Sequence, residues 1–271
     1  MDPESILQDV NGSAILKTLK QYELVNIHSP AFDVKRIVSE SINRNFKVTD
    51  GNQTLLLKVF NNANSLPINR RNVFNMQEEL AILGLAPLPL FLNDDATIYC
   101  EQWIEFPKHN ETALIQLLAE ALYSVHSSFV SAPLLALDEH WEAYWQQLKD
   151  PNEALQQQYS LAKKQWQTYV SQYRDEFTLC HNDLHLNHLS YNNGPLFDWE
   201  YAGLGCRYFD IASCCAVNEL SSSQIVELCK NYAELANRSA NDVLEKVTDS
   251  SKLVTFTYEL WGGSLGIVEN L

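Results

Sequence analysis

Glycine is scarce in this 271-residue chain: nine residues, against an average share of about 7%. None falls between positions 13 and 50, which excludes a P-loop or a Gly-x-Gly-x-x-Gly phosphate loop near the N-terminus. Basic residues are also few, 19 Lys+Arg against 34 Asp+Glu, for a net charge of −15. A nucleic-acid binder needs a basic face to neutralise phosphates, and a membrane anchor of the polybasic kind needs one too, so both are excluded. The acidity leaves room for a cationic partner. There is no apolar run of about 18 residues, so no transmembrane helix is expected. The opening MDPESILQDV lacks the basic start and apolar core of a signal peptide, so a cytoplasmic location is expected. C-x-x-C spacing is missing as well. Cys100, Cys180, Cys206, Cys214, Cys215 and Cys229 read as reduced core thiols rather than a zinc site or a disulfide framework.

What is present begins with a mixed region over the first hundred residues. Residues 6–23 have the pattern of a helix, ELVNIH that of a short extended piece. Three strands follow: IVSESI, NRNFKVTD with Phe46 and Val48 alternating with polar neighbours, and QTLLLKVF after the turn Asp50-Gly51-Asn52. A helix over about 69–83 ends at Gly84. LPLFLNDDATIYCEQWI reads as two strands joined at Asn93-Asp94-Asp95. From residue 106 the texture turns helical. Leu114, Leu117, Leu118, Ala121, Leu122 and Val125 share one helix face. Residues 138–173 interleave Trp141, Trp145 and Trp166 with polar residues, as amphipathic helices do. Those tryptophans read as packing residues, although Trp141 and Trp145, at i and i+4, share a face that could line a cleft. A strand–loop–strand unit, FTLCHNDLHLNHLSYNNGPLFDWEYAG, precedes a second helical stretch over 208–271. The expected architecture is α+β, with a β-rich lobe at 1–104 and a helical lobe at 105–271.

The chemistry concentrates at His181-Asn182-Asp183 and at Asp198, fifteen residues on and preceded by Leu196-Phe197. Phosphoryl transfer needs one carboxylate to orient the acceptor hydroxyl and oxygen ligands to hold Mg²⁺ against the phosphates. A loop between two short strands can bring both carboxylates to one place. Arg207 and Asp210 are expected to brace the loop after Asp198.

The segment 180–212 resembles the catalytic region of the aminoglycoside phosphotransferase/choline kinase family, whose catalytic loop reads His-x-Asp-x-x-x-x-Asn. Asp198-Trp199-Glu200-Tyr201-Ala202 resembles its metal-binding stretch, and Phe209-Asp210-Ile211-Ala212 its Phe-Asp-[Ile/Leu]-Ala. The choline, ethanolamine and thiamine kinase branch is the nearer match. The resemblance covers roughly residues 35–271 and implies a protein-kinase-like two-lobed fold. It implies ATP and Mg²⁺ as cofactors and a small cationic alcohol as acceptor. Asp183 would be the catalytic residue and Asp198 a metal ligand. Lys58 in LLLKVF would contact the phosphates, and Asn43, in a stretch similar to the family's nucleotide hairpin, would lie near the nucleotide. Glu101 and Trp103 would belong to a hinge, 101–105, whose backbone binds adenine. Trp261, Glu200 and Tyr201 would form a wall for the cation. His181 would bond the backbone rather than carry protons.

The chain departs from the pattern in four places. The metal-ligand Asn position is His188, with Asn187 one residue earlier, so the second metal ligand is Asn187 or His188. Ser39-Glu40-Ser41 stands where the family often has glycines, which disfavours close backbone contact with phosphates. The glutamate expected to pair with Lys58 falls near Val73, while Glu78 and Glu79 lie further along the helix. Trp261-Gly262-Gly263-Ser264 lacks the second Trp of the family's Trp-Gly-x-Trp, and Val217 stands at an acidic position, with Glu219 two residues on. The leading expectation is an ATP-dependent small-molecule kinase; the alternative is a catalytically impaired ligand-binding protein on the same scaffold. An aminoglycoside kinase is a third possibility.

Overall fold

The structure, a computed structural model, describes residues 12–37, 43–60, 67–105, 113–190 and 194–266. The chain divides into two compact units: residues 1–64 with 77–105, and residues 65–76 with 106–271.

The first unit is built on a five-stranded antiparallel sheet. Its strands are β1 (Asp33–Ile37), β2 (Arg44–Thr49), β3 (Thr54–Val59), β4 (Pro89–Leu92) and β5 (Ile98–Gln102), in the order β1-β2-β3-β5-β4. Alternation sorts the side chains onto two faces. Val34, Phe46, Val48, Leu55, Leu57 and Cys100 are buried on one, against Ile15 and Leu19 of helix α1 (Gly12–Gln21). The other face carries Asn45, Lys58 and Tyr99 side by side, because Asn45 pairs with Lys58 and Lys58 with Tyr99. The β2–β3 turn is set by Gly51, whose φ of +89° suits glycine, and by Asp50. Asp50 Oδ2 accepts the Asn26 N–H at 2.8 Å, and its Oδ1 accepts those of Asn52 and Gln53, each at 2.9 Å. These bonds, that of Asn26 foremost, hold the Asp50 pKa below its ordinary value.

Two expectations change here. ELVNIH is a turn rather than an extended piece: Leu24 N–H closes α1 onto Leu19 C=O and Asn26 N–H is taken by Asp50, which leaves those groups no ladder to join. The first strand lies earlier than IVSESI, at Asp33–Ile37, where Val34 reaches the core; Val38–Ile42, with Ser39-Glu40-Ser41, fall outside the described residues. Helix α2 (Arg70–Ile82) ends as expected at Gly84, φ +75°.

The second unit is helical: α3 (Leu114–His126), α4 (Leu137–Trp145), α5 (Glu153–Gln172), α6 (Arg207–Val217), α7 (Ser222–Leu235) and α8 (Ala240–Ser264). Asn152, Ser221 and Ser239 cap α5, α7 and α8 through their side-chain oxygens, each cap contributing about 1 kcal/mol. Leu118, Ala121, Leu122 and Val125 form the buried stripe of α3. Trp141 and Trp166 are buried and pack edge to face, whereas Trp145 stacks on Tyr159. All six cysteines are free and buried. No helix among the described residues is long and apolar enough to cross a membrane.

Between α5 and α6 lies the short hairpin that organises the unit. β6 (Phe177–Cys180) pairs antiparallel with β7 (Gly203–Cys206). The second strand therefore follows Asp198; Leu196 makes only an isolated bridge with Leu189. Leu204 exchanges backbone hydrogen bonds with Pro133 and Leu135. Glycine at 203 permits that approach, since a Cβ there would sit 2.9 Å from the Pro133 carbonyl oxygen.

Candidate active site

The segment from 181 to 186 is held by α6 and the residue that ends it, Asn218. Antiparallel pairing sets Cys206 beside Phe177, so α6 runs back past the end of β6. The backbone N–H groups of His181 and Asn182 donate to Asp210 Oδ2 and Oδ1 at 2.9 and 2.7 Å. Ser213, one turn on, donates to the Asn182 carbonyl at 2.7 Å. Asn218 accepts the Leu186 N–H and donates to the Leu184 carbonyl. Asp210 thus braces the segment before Asp183 and not the one after Asp198. Arg207 turns elsewhere, with Nε 3.3 Å from Glu176 Oε2.

The Asp210 carboxylate is fully buried and stays ionised. Burial opposes its charge, but His126 and the two N–H groups outweigh it and hold the pKa below the ordinary value. His181 is also buried, and burial pushes its pKa down to about 4. It is neutral, and its Nε2 donates to the Phe197 carbonyl at 2.9 Å. Its ring packs 4.8 Å from the Trp199 ring.

Asp183 is half-buried, and its pKa is raised to about 8, first by burial and then by the negative charges of Asp198, Glu200 and Asp210. Tyr144, Tyr201 and Tyr258, from three separate elements, stand in its field. Burial is the main cause of their raised pKa values, and the Asp183 charge adds to it in each. Tyr258 is 3.1 Å from Ser213, on the same network that holds Asn182.

Asp198 has left-handed backbone angles, φ 64° and ψ 60°, and Asn182 has φ 63°. Such angles disfavour residues with a Cβ and gather at functional positions. His188 closes a 3-10 turn, Leu186–His188, and brings Nε2 to 3.9 Å from Asp198 Oδ2. Its Nδ1 donates to the Asp183 carbonyl at 2.8 Å. Asn187 is exposed, and its N–H donates to Nδ1 of His185. The turn therefore brings His188, and not Asn187, toward Asp198.

Of the expected cation wall, Tyr201 adjoins Asp183, and Glu200 lies in the field of the Arg70 guanidinium. Trp261 is half-buried on α8, one turn beyond Tyr258 and so on the same side. Tyr144 and Tyr258 carry no motif, and sequence reasoning missed them. The i, i+4 pair Trp141 and Trp145 drew attention to the right helix; it is Tyr144, between them, that feels the Asp183 charge.

On the sheet of the first unit, Lys58 is half-buried next to the end of β3, and half-buried Asn43 directly precedes β2. Glu101 and Gln102 are the last two residues of β5. The Glu101 carboxylate accepts from Gln77 at 2.7 Å and Tyr99 at 2.8 Å. Trp103 N–H donates to the Thr54 carbonyl, and its indole donates to Glu105 at 2.9 Å under the Lys47 ammonium. Val73, Glu78 and Glu79 lie on α2, whose Gln77 is the residue that turns to the β5 carboxylate.

Solved structures share this fold. The choline kinase LicA of Streptococcus pneumoniae aligns with a TM-score of 0.71 at 18% identity, over 94% of this chain and 91% of its own. The Plasmodium vivax ethanolamine kinase Pv091845 gives 0.72 at 14% identity, over 96% and 83%. The amicoumacin kinase hAmiN, solved with AMP-PNP, Ca²⁺ and amicoumacin, gives 0.61 at 15%, over 91% and 92%. At these identities the likeness is one of fold, the protein-kinase-like α+β fold. A comparison with curated proteins finds no match. Residues 33–241 match the phosphotransferase enzyme family, most of the chain and the whole of the hairpin that carries Asp183 and Asp198. The chain belongs to the phosphotransferase enzyme family.

Proposed function

We propose that this protein is an ATP-dependent kinase that transfers the γ-phosphoryl group to a hydroxyl of a cationic alcohol of the choline, ethanolamine or thiamine type. The observation that carries the reading is the setting of Asp183: a carboxyl with a pKa of about 8, among three tyrosines and beside Asp198 and Glu200. Aromatic faces and carboxylates together favour an ammonium group over a neutral alcohol. Positive charge entering the site lowers the Asp183 pKa, so the carboxylate ionises when it is needed. Asp183 then orients the acceptor hydroxyl and takes its proton. Tyr144, Tyr201 and Tyr258 exclude water around it, and Trp261 extends that wall. The N–H bonds to Asp210 keep the loop from shifting as charge moves. Lys58 steadies the nucleotide phosphates, and Asn43, Glu101 and Trp103 contribute to nucleotide binding. Asp198 and His188 are the residues that would hold a divalent ion, whose charge would offset that of the phosphates. The AMP-PNP and Ca²⁺ seen with the amicoumacin kinase support a nucleotide with a divalent ion.

A substrate panel read by ADP release tests this. Turnover with an amino alcohol is expected; no turnover with any amino alcohol, sugar or aminoglycoside would sink the reading. A second reading, a ligand-binding protein without phosphoryl transfer, draws on His188 at the expected metal-ligand position. It requires a melting shift with the acceptor and none with ATP plus a divalent ion.

A further inference from the structure

The two residues that lead into Asp183 grip the backbone on both sides of Asp198. His181 Nε2 donates to the Phe197 carbonyl at 2.9 Å, one residue before Asp198. The Asn182 side chain donates from Nδ2 to the Tyr201 carbonyl at 2.9 Å, three residues after it. A carbonyl only accepts, so the amide is fixed with its NH₂ on Tyr201. Among the described residues nothing donates to the other amide atom, Oδ1, which is buried. The side chain is engaged through its donor alone, and its unmatched oxygen is a cost. The backbone carries a second cost. The Asn182 φ of +63° lies in the left-handed region, which glycine enters freely and asparagine more readily than most residues. Asp210 takes the N–H of this residue and Ser213 donates to its carbonyl, so the main chain is held in that form. Glycine would suit such a backbone better; only a side chain reaches Tyr201.

We propose that Asn182 is a positioning residue, whose side-chain bond to Tyr201 sets the place of the Asp198–Tyr201 turn relative to Asp183. The bonded carbonyl belongs to the last residue of the 3-10 turn Trp199–Tyr201, and Asp198 is the residue that opens it. One bond therefore fixes two things at once: the carboxylate of Asp198, and the Tyr201 ring that stands in the field of Asp183 beside Tyr144. The proposal rests on the kinase reading only for what this placement serves, an ion ligand and an aromatic wall on either side of the group that orients the acceptor.

Two variants of the full chain separate positioning from packing. Asn182→Gly removes the amide and leaves the backbone relaxed, whereas Asn182→Ala removes it and adds left-handed strain. Asn182→Ala should melt lower than Asn182→Gly, yet kcat should fall alike in both, by about tenfold or more. The divalent-ion concentration that gives half-maximal rate should rise in both, which a mere loss of folded protein would not produce. Activity that follows the melting temperature, with Asn182→Gly like the wild type, overturns the proposal, as does an unchanged ion requirement. Should Asn182→Ala fail to fold, Asn182→Gly decides alone. Crystal structures of the wild type and Asn182→Gly give a readout that needs no turnover. The Asp198–Tyr201 turn should shift while residues 181–186 stay on Asp210 and Asn218; a turn in the same place overturns the proposal. A wild type that turns over no acceptor removes the kinase reading, and the two structures still decide whether Asn182 places the turn.

Discussion

His126 Nε2 lies 3.0 Å from Oδ2 of Asp210, and neither side chain reaches solvent. The other ring nitrogen is 2.7 Å from the Tyr232 hydroxyl. Three helices, α3, α6 and α7, thereby meet at the carboxylate that holds the His181 and Asn182 backbone. Asp210 accepts three hydrogen bonds within one buried site, so removing its charge leaves several donors short of a partner.

Asp210→Asn places an amide N–H₂ against existing donors. Breaking a buried pair of this kind costs about 3 kcal/mol or more. The variant should unfold at clearly lower denaturant, and whatever folds should lose kcat more than it gains in acceptor KM. A wild-type midpoint would show that the loop does not depend on this carboxylate.

If Asp183 takes the acceptor proton as proposed, Asp183→Asn should lower kcat by about 10²-fold or more. ADP release under saturating acceptor measures it. Nucleotide binding should be little changed, since Lys58 and Asn43, the residues proposed for it, are untouched. Retention of wild-type turnover would assign the proton to another group.

Tyr144→Leu and Tyr258→Leu keep apolar bulk but remove the aromatic face. If each ring contributes the about 1 kcal/mol typical of an ammonium over a tyrosine, acceptor KM should rise about fivefold. KM for ATP should not move. Equal losses for a neutral alcohol and an ammonium alcohol would show that the rings only pack.

Stability should depend on acid through two buried imidazoles. Burial holds His126 below its ordinary 6.5 and His181 down at about 4, so both stay neutral in the folded chain. Unfolded, each takes up a proton near 6.5. Through these two groups the unfolded state binds more protons below 6.5, so their share of native stability falls as pH drops from there toward 4. Asp183, with a folded pKa of about 8 against an ordinary 3.8, acts in the opposite sense over the same range, so the imidazole share is read by difference. Denaturant midpoints of His126→Gln should lose less on acidification than those of the wild type; equal losses would contradict the neutral assignment of His126.

Gly203→Ala should destabilise the β6–β7 hairpin, because the new methyl meets the Pro133 carbonyl at 2.9 Å. Overpacking against backbone costs about 1–3 kcal/mol. Thermal melting measures it; an unchanged melting temperature would mean the 131–135 segment yields freely.

Much of the fold was legible because its signals are short-range. β2 and β3, their Asp50-Gly51 turn, the α2 stop at Gly84 and the α3 stripe each rest on a few neighbouring residues whose spacing matches one period. Expectation failed where partners are distant. Residues 23–28 lose their extended pattern to Asp50, more than twenty positions away, and Asp33–Ile37 becomes a strand because Val34 finds the core. Glu101 and Gln102 lie in β5 because β3 and β4 flank that strand and extend its ladder through Gln102.

The sequence by itself determined the chemistry at hand: the His-Asn-Asp and Asp-Trp-Glu-Tyr-Ala segments, an acidic balance, and a family that the residues at 33–241 share. Only tertiary structure decided which side chain accompanies Asp198. Asn187 and His188 are neighbours, and a 3-10 turn rotates successive side chains by about 120°, so one reaches Asp198 while the other meets solvent. Tertiary structure also assembled Tyr144, Tyr201 and Tyr258 around Asp183. They come from three elements spread over more than a hundred residues, and no local pattern in a sequence records a meeting that is made by packing.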